Sequence, residues 1–87
     1  MYRAVLTRRF KKQIFKFPRK EQIKIIAKIE SGLSNPRQSA VKLEDTSPPV
    51  YRIRSGEYRI FFEVDDLKQI MEITDVKRRT TRTYRQK

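Results

Sequence analysis

Three arginines, Arg52, Arg54 and Arg59, lie at alternating positions on either side of Ser55-Gly56 in the stretch VYRIRSGEYRIFFEV. Further on, KRRTTRTYRQK (residues 77–87) has Lys or Arg at six of its eleven positions, among them Lys77, Arg78, Arg79 and Arg82, and it also contains Tyr84. Arginine stays charged and meets two phosphate oxygens at once through its planar fork. Tyrosine offers a stacking face for bases. Together they point to RNA or single-strand binding. The same groups could promote attack of a ribose 2′-OH on its phosphodiester. That reaction needs the hydroxyl deprotonated, the dianionic transition state stabilised and the leaving 5′-oxygen protonated. Guanidinium groups suit the second task. With a pKa above about 12, they are poor proton donors. Tyr84 is the best candidate base, provided nearby positive charge lowers its hydroxyl from a pKa of about 10. Glu57, Glu63 or Glu72 could substitute.

Composition narrows the class. The chain has 87 residues, enough for one small domain. Lys plus Arg number 22 against 10 acidic residues, a formal charge of +12. A field of that size attracts polyanions, nucleic acid first and an anionic membrane less often. The chain contains neither Cys nor His, so a disulfide framework, a thiolate zinc site and a histidine base are all excluded. Asp65-Asp66 is the paired carboxylate, but it sits in a predicted turn where Asp is ordinary. No metal or cofactor is expected. With only Gly32 and Gly56, the chain has no glycine-rich phosphate loop. No apolar run approaches a membrane span, and MYRAVLTRRF lacks a signal-peptide core, so a soluble cytoplasmic protein is expected.

The elements that must hold these residues follow from pattern. A two-residue hairpin loop at Ser55-Gly56 would put Arg54 opposite Glu57, Ile53 opposite Tyr58 and Arg52 opposite Arg59. One face then carries Tyr51, Ile53, Tyr58, Ile60, Phe62 and Val64 as core. The other carries the arginines with Glu57. Like charges directly opposite on a sheet are unfavourable, so gathering them suggests an anionic ligand. A tight turn at Asp66-Leu67 leads into a strand over 69–76. It would set Met71 beside Phe62 and Ile73 beside Ile60, with Ile70, Glu72 and Thr74 on the arginine face.

Upstream, residues 2–7 read as a short strand and Thr7 as a helix N-cap. Phe10, Ile14 and Phe17 recur at helical spacing over 8–17, and Pro18 ends that helix. Residues 19–33 form a second helix with Ile23, Ile26, Ile29 and Leu33 as its stripe and Ile25 at the margin. Gly32 and Asn35-Pro36 close it. AVKLED is a short strand or an ordered loop. The regular stripes suit an αα-hairpin better than a DNA-reading helix-turn-helix. The expected fold is a single α+β domain over 1–87: an N-terminal strand, a two-helix hairpin and an antiparallel three-strand meander. A basic C-terminal segment, 77–87, carries site residues.

This pattern resembles the RelE/ParE toxin superfamily, on its RelE-like side. The resemblance covers most of the chain, through "VKLEDT", "VYRIRSGEYRIFFEVDD" and "IMEITDVKRRTTRTY". It implies the RelE-like microbial RNase fold and the toxin of a type II toxin–antitoxin pair. Such a toxin would be a metal-independent endoribonuclease that cuts mRNA in the ribosomal A site. It implies an acidic antitoxin that masks the basic site, in a complex that binds operator DNA. By the same resemblance Arg54, Arg59, Arg78 and Tyr84 are catalytic: Arg59 contacts the reacting phosphate and Tyr84 handles the 2′-OH proton. Arg52, with Lys77, Arg79 and Arg82 of the basic cluster, is expected to bind substrate. Arg52 and Arg54 stand where the best-known pattern has lysines, and arginine there supplies charge without proton transfer. Val76 stands where the pattern has glycine. The alternatives are a ParE-like inhibitor of DNA gyrase and a non-catalytic ribosome- or RNA-binding member of the fold.

Overall fold

A computed structural model describes residues 1–79. The elements are β1 (Arg3–Leu6), α1 (Arg8–Ile14), α2 (Arg19–Ser31), β2 (Val41–Lys42), β3 (Tyr51–Ser55), β4 (Tyr58–Asp65) and β5 (Ile70–Arg78). Thr7 caps α1 as its sequence position demands. Its hydroxyl accepts from the Phe10 N–H at 3.2 Å and donates to the Ile73 carbonyl at 2.9 Å. One side chain therefore starts the helix and ties it to the sheet. α1 is shorter than its stripe suggested. After Ile14 the chain tightens into three-residue turns, with Phe17 N–H donating to the Ile14 carbonyl. Phe17 still packs on the core, its ring centroid 4.6 Å from that of Tyr58.

The five strands run in the order β1-β5-β4-β3-β2, and β1 is parallel to β5 while the other pairs are antiparallel. The helical hairpin covers one face. Phe10, Ile25 and Ile29 from the helices are closed off with Ile60, Phe62, Met71 and Ile73 from the central strands, each at most 1% exposed. The fold is the expected α+β arrangement. AVKLED contributes the two-residue β2.

Details depart from the sequence reading. In α2 the buried stripe runs through Ile25 and Ile29, and Ile23 is 60% exposed. The Gln22 side chain donates to the Phe17 carbonyl at 2.9 Å and fixes how the helix is rotated at its start. The first hairpin turns one residue later than expected. Ser55 pairs with Tyr58, leaving Gly56-Glu57 as the loop. Gly56 takes φ +61° and Glu57 does not share the positive φ, the pattern of a type II′ turn. The faces keep their membership because the shift preserves alternation, but the partners change: Arg54 pairs with Arg59, Ile53 with Ile60 and Arg52 with Phe61. The β4–β5 loop is also longer. Asp65 pairs with Ile70, Gln69 takes φ +57°, and the Asp65 carboxylate accepts from the Lys68 N–H. Met71 thus faces Val64, and Ile73 faces Phe62.

Candidate nucleic-acid interface

A β-bulge organises the basic end of the sheet. Phe61 pairs with Asp75, while Phe62 pairs with Ile73, so Thr74 is the extra residue on β5. The Thr74 hydroxyl donates to the Phe61 carbonyl at 3.3 Å. Past the bulge the parity of β5 inverts. Met71, Ile73 and Val76 face the helices, which leaves Lys77 for the open face. β1 ends at Leu6, and α1 takes over that edge of β5. Gln13 accepts from the Val76 N–H at 2.7 Å and donates to the Asp75 carboxylate at 3.1 Å; Arg9 also reaches that carboxylate, at 3.3 Å. Val76, in the position where the resemblance has glycine, is buried at 1% exposure.

The result is a row of cations across three strands. Arg54 pairs with Arg59, and Arg59 pairs with Lys77 on its other side. The next row is Arg52, Phe61 and Asp75. Among the described residues, Arg52, Arg54, Arg59 and Lys77 form no salt bridge. Among the described residues, the buried Arg59 Nε–H has no hydrogen-bond partner. A buried donor without a partner costs free energy that an anionic ligand beside it would recover. The Lys77 ammonium lies 5.8 Å from the Phe61 ring centroid. At the β3 edge, Arg52 and Arg54 line a cleft of about 300 Å³ with Lys28, Ser39 and Val41.

The sheet divides the other site residues. Arg78 belongs to β5 and pairs with Tyr58, a register position on the helix side. Its guanidinium donates to the Glu57 carboxylate at 3.1 Å, with both groups largely exposed. Arg79 is exposed, and its N–H donates to the Glu57 carbonyl. Glu57 is thus a turn residue that ties down the end of β5. Arg82 and Tyr84 lie outside the described residues. Two residues that the sequence reading passed over join the basic surface. Phe61 was legible from alternation alone, two positions after Arg59. Lys28 was hidden because only the packing of α2 brings it to the β3 edge.

Residues 4–82 match the model of the ParE toxin of the type II toxin–antitoxin system parDE. The chain belongs to the ParE toxin family, within the RelE/ParE superfamily. The isolated RelE toxin of E. coli is 25% identical with a TM-score of 0.80, and the match covers 97% of this chain and 92% of that one. In the intact E. coli RelBE toxin–antitoxin complex the matching chain is 27% identical with a TM-score of 0.78, over 92% of this toxin and 99% of that chain. A chain of the RelBE2 toxin–antitoxin complex of Mycobacterium tuberculosis shares the fold, at 22% identity and a TM-score of 0.82, over 90% of this toxin and 91% of that chain. Comparison with curated protein sequences gives no match. Among the described residues of this ParE-family toxin, no helix is long and apolar enough to cross a membrane.

Proposed function

We propose that this toxin is a ribosome-dependent endoribonuclease that cuts mRNA in the A site and thereby arrests translation. The observation that carries this reading is the row Arg54–Arg59–Lys77, which no acidic side chain neutralises among the described residues and in which the buried Arg59 Nε–H has no partner there. Likeness to RelE toxins supports it. In the reaction the 2′-oxygen gives up its proton and bonds to phosphorus, forming a 2′,3′-cyclic phosphate, and the bond to the 5′-oxygen breaks as that oxygen takes a proton from water. Charge accumulates on the non-bridging oxygens, and Arg59, flanked by Arg54, is the group to neutralise it. Tyr84 is the proposed acceptor of the 2′-OH proton. Arg78 is the proposed further cation of the catalytic set, released from Glu57 when RNA arrives. Arg52, Lys77, Arg79 and Arg82 hold the flanking phosphates. The ribosome orients the message, which accounts for a site built of charges and no histidine.

The proposed partners are the ribosome with its mRNA and an acidic antitoxin. The solved E. coli and M. tuberculosis complexes pair RelE-type toxins with antitoxins. A segment rich in Asp and Glu would neutralise the cation row, and the resulting complex would bind operator DNA. Action on ribosomes places the toxin in the cytoplasm.

The match to the ParE family favours a second reading, inhibition of DNA gyrase. Pulse labelling after induction in a bacterial host separates the two. Under the first reading, incorporation of labelled amino acid stops while thymidine incorporation continues. If thymidine incorporation fails first, gyrase becomes the target.

A further inference from the structure

Phe61 stands on the open face of the sheet, where the cations are. It is half-buried and pairs with Arg52 on one side and Asp75 on the other. It follows Arg59 by two positions on the same strand face, a separation of about 6.6 Å. The Lys77 ammonium sits over its ring. The ring has no place in the helix-side core, whose aromatic pairs are Phe17–Tyr58 and Tyr51–Phe62. A phenyl group kept beside Arg52, Arg59 and Lys77, with the neighbouring Asp75 carboxylate already engaged by Arg9 and Gln13, is poorly placed for folding alone. It is well placed for a ligand that presents negative charge and a flat π-face side by side, as every nucleotide does.

We propose that Phe61 is a stacking platform for the nucleobase adjoining the phosphate held by Arg59, a role that rests on the RNA reading above. The spacing of the two residues along β4 is comparable to the separation of a phosphate from its own base. Lys77 covers the ring in the free protein. Its ammonium is carried on a flexible stem, so it swings from the ring to a phosphate as the base arrives. Stacking uses a face that all bases share, so the platform contributes grip more than sequence choice.

The test is cleavage of an end-labelled message on programmed ribosomes by wild type, Phe61→Leu and Phe61→Trp, with thermal unfolding of each. Leucine keeps apolar bulk and removes the π-face; tryptophan restores it. The expected result is a loss in kcat/KM of roughly 5- to 100-fold for Phe61→Leu, near-wild-type cleavage by Phe61→Trp, and similar melts. Cleavage by Phe61→Leu equal to wild type overturns the platform and leaves the nuclease reading standing. So does a Phe61→Trp protein as poor as Phe61→Leu. If Phe61→Leu cuts normally but escapes a co-expressed antitoxin, the ring belongs to a protein interface and the proposal fails. If wild type does not cut at all, the RNA reading fails, and the platform fails with it.

Discussion

Arg54 and Arg59 face each other directly across the β3–β4 ladder, one register step from the hairpin loop. Like charges in this relation destabilise a sheet. Lys77 extends the row on the far side of Arg59. The fold bears this repulsion at the place where the proposed nuclease reaction needs positive charge.

Arg59→Ala should therefore abolish growth inhibition while leaving a folded protein. Losing one electrostatic stabiliser of a transition state lowers kcat by about 10²- to 10³-fold. Relief of repulsion from Arg54 and Lys77, and of the buried unpartnered Nε–H, should leave the melting temperature unchanged or slightly higher. A variant that unfolds would show that Arg59 holds the sheet together, contrary to its assigned role.

Tyr84→Phe removes only a hydroxyl. Cleavage should fall much more than ribosome binding, measured by co-sedimentation. Equal cleavage by the variant would remove Tyr84 from proton transfer.

Ile60 is fully buried between Ile53 and Val76 on the helix side of the sheet. Ile60→Ala should cost about 2–5 kcal/mol in denaturant unfolding. A near-neutral result would mean that the assigned core face is wrong.

A polar clip joins the N-terminus, the segment after α2, β3 and the β4–β5 loop. Arg37 donates to the Asp66 carboxylate at 2.7 Å and to the Tyr51 hydroxyl at 3.1 Å, and the Tyr2 hydroxyl donates to Asp66 at 2.6 Å. The hydrogen bond from Arg37, then that from Tyr2, hold the Asp66 carboxyl below its ordinary range. A carboxyl lowered on folding adds stability above its unfolded pKa of about 3.9, and that stability is lost as pH falls through the folded value. Asp66, in turn, holds the Tyr2 hydroxyl above its ordinary value. That contribution is present below the unfolded tyrosine pKa of about 10 and is lost as pH rises. The groups are exposed, so the effects are small. Melting temperatures of wild type and Asp66→Asn should differ at neutral pH and converge on acidification. A gap independent of pH would contradict the clip.

The hydrophobic pattern was legible because it depends only on alternation and helical period. Tyr51 to Val64 showed which residues face the helices, and Thr7 showed where α1 begins. Register was harder to read. Gly56 serves a two-residue loop as its first or its second central residue, and the sequence leaves both open. Placing it second paired Arg52 with Arg59; in the fold it comes first, and Arg54 is the partner. The bulge at Thr74 shows in QIMEITDV only as a break of alternation at Asp75-Val76, where an acid falls on an inward position and a valine on an outward one; it sends Lys77 to the cationic row and Arg78 toward Glu57. Arg78 and Lys77 also extend β5 beyond Val76, where the basic segment was expected to begin. The rotation of α2 rests on a side-chain bond from Gln22 that no periodicity records.

The decisive measurement is primer extension on a defined message in a reconstituted translation system, with and without ribosomes. Cuts within A-site codons that need ribosomes and disappear with Arg59→Ala are expected. An intact message and undiminished translation, with supercoiling by gyrase blocked, would contradict the nuclease reading.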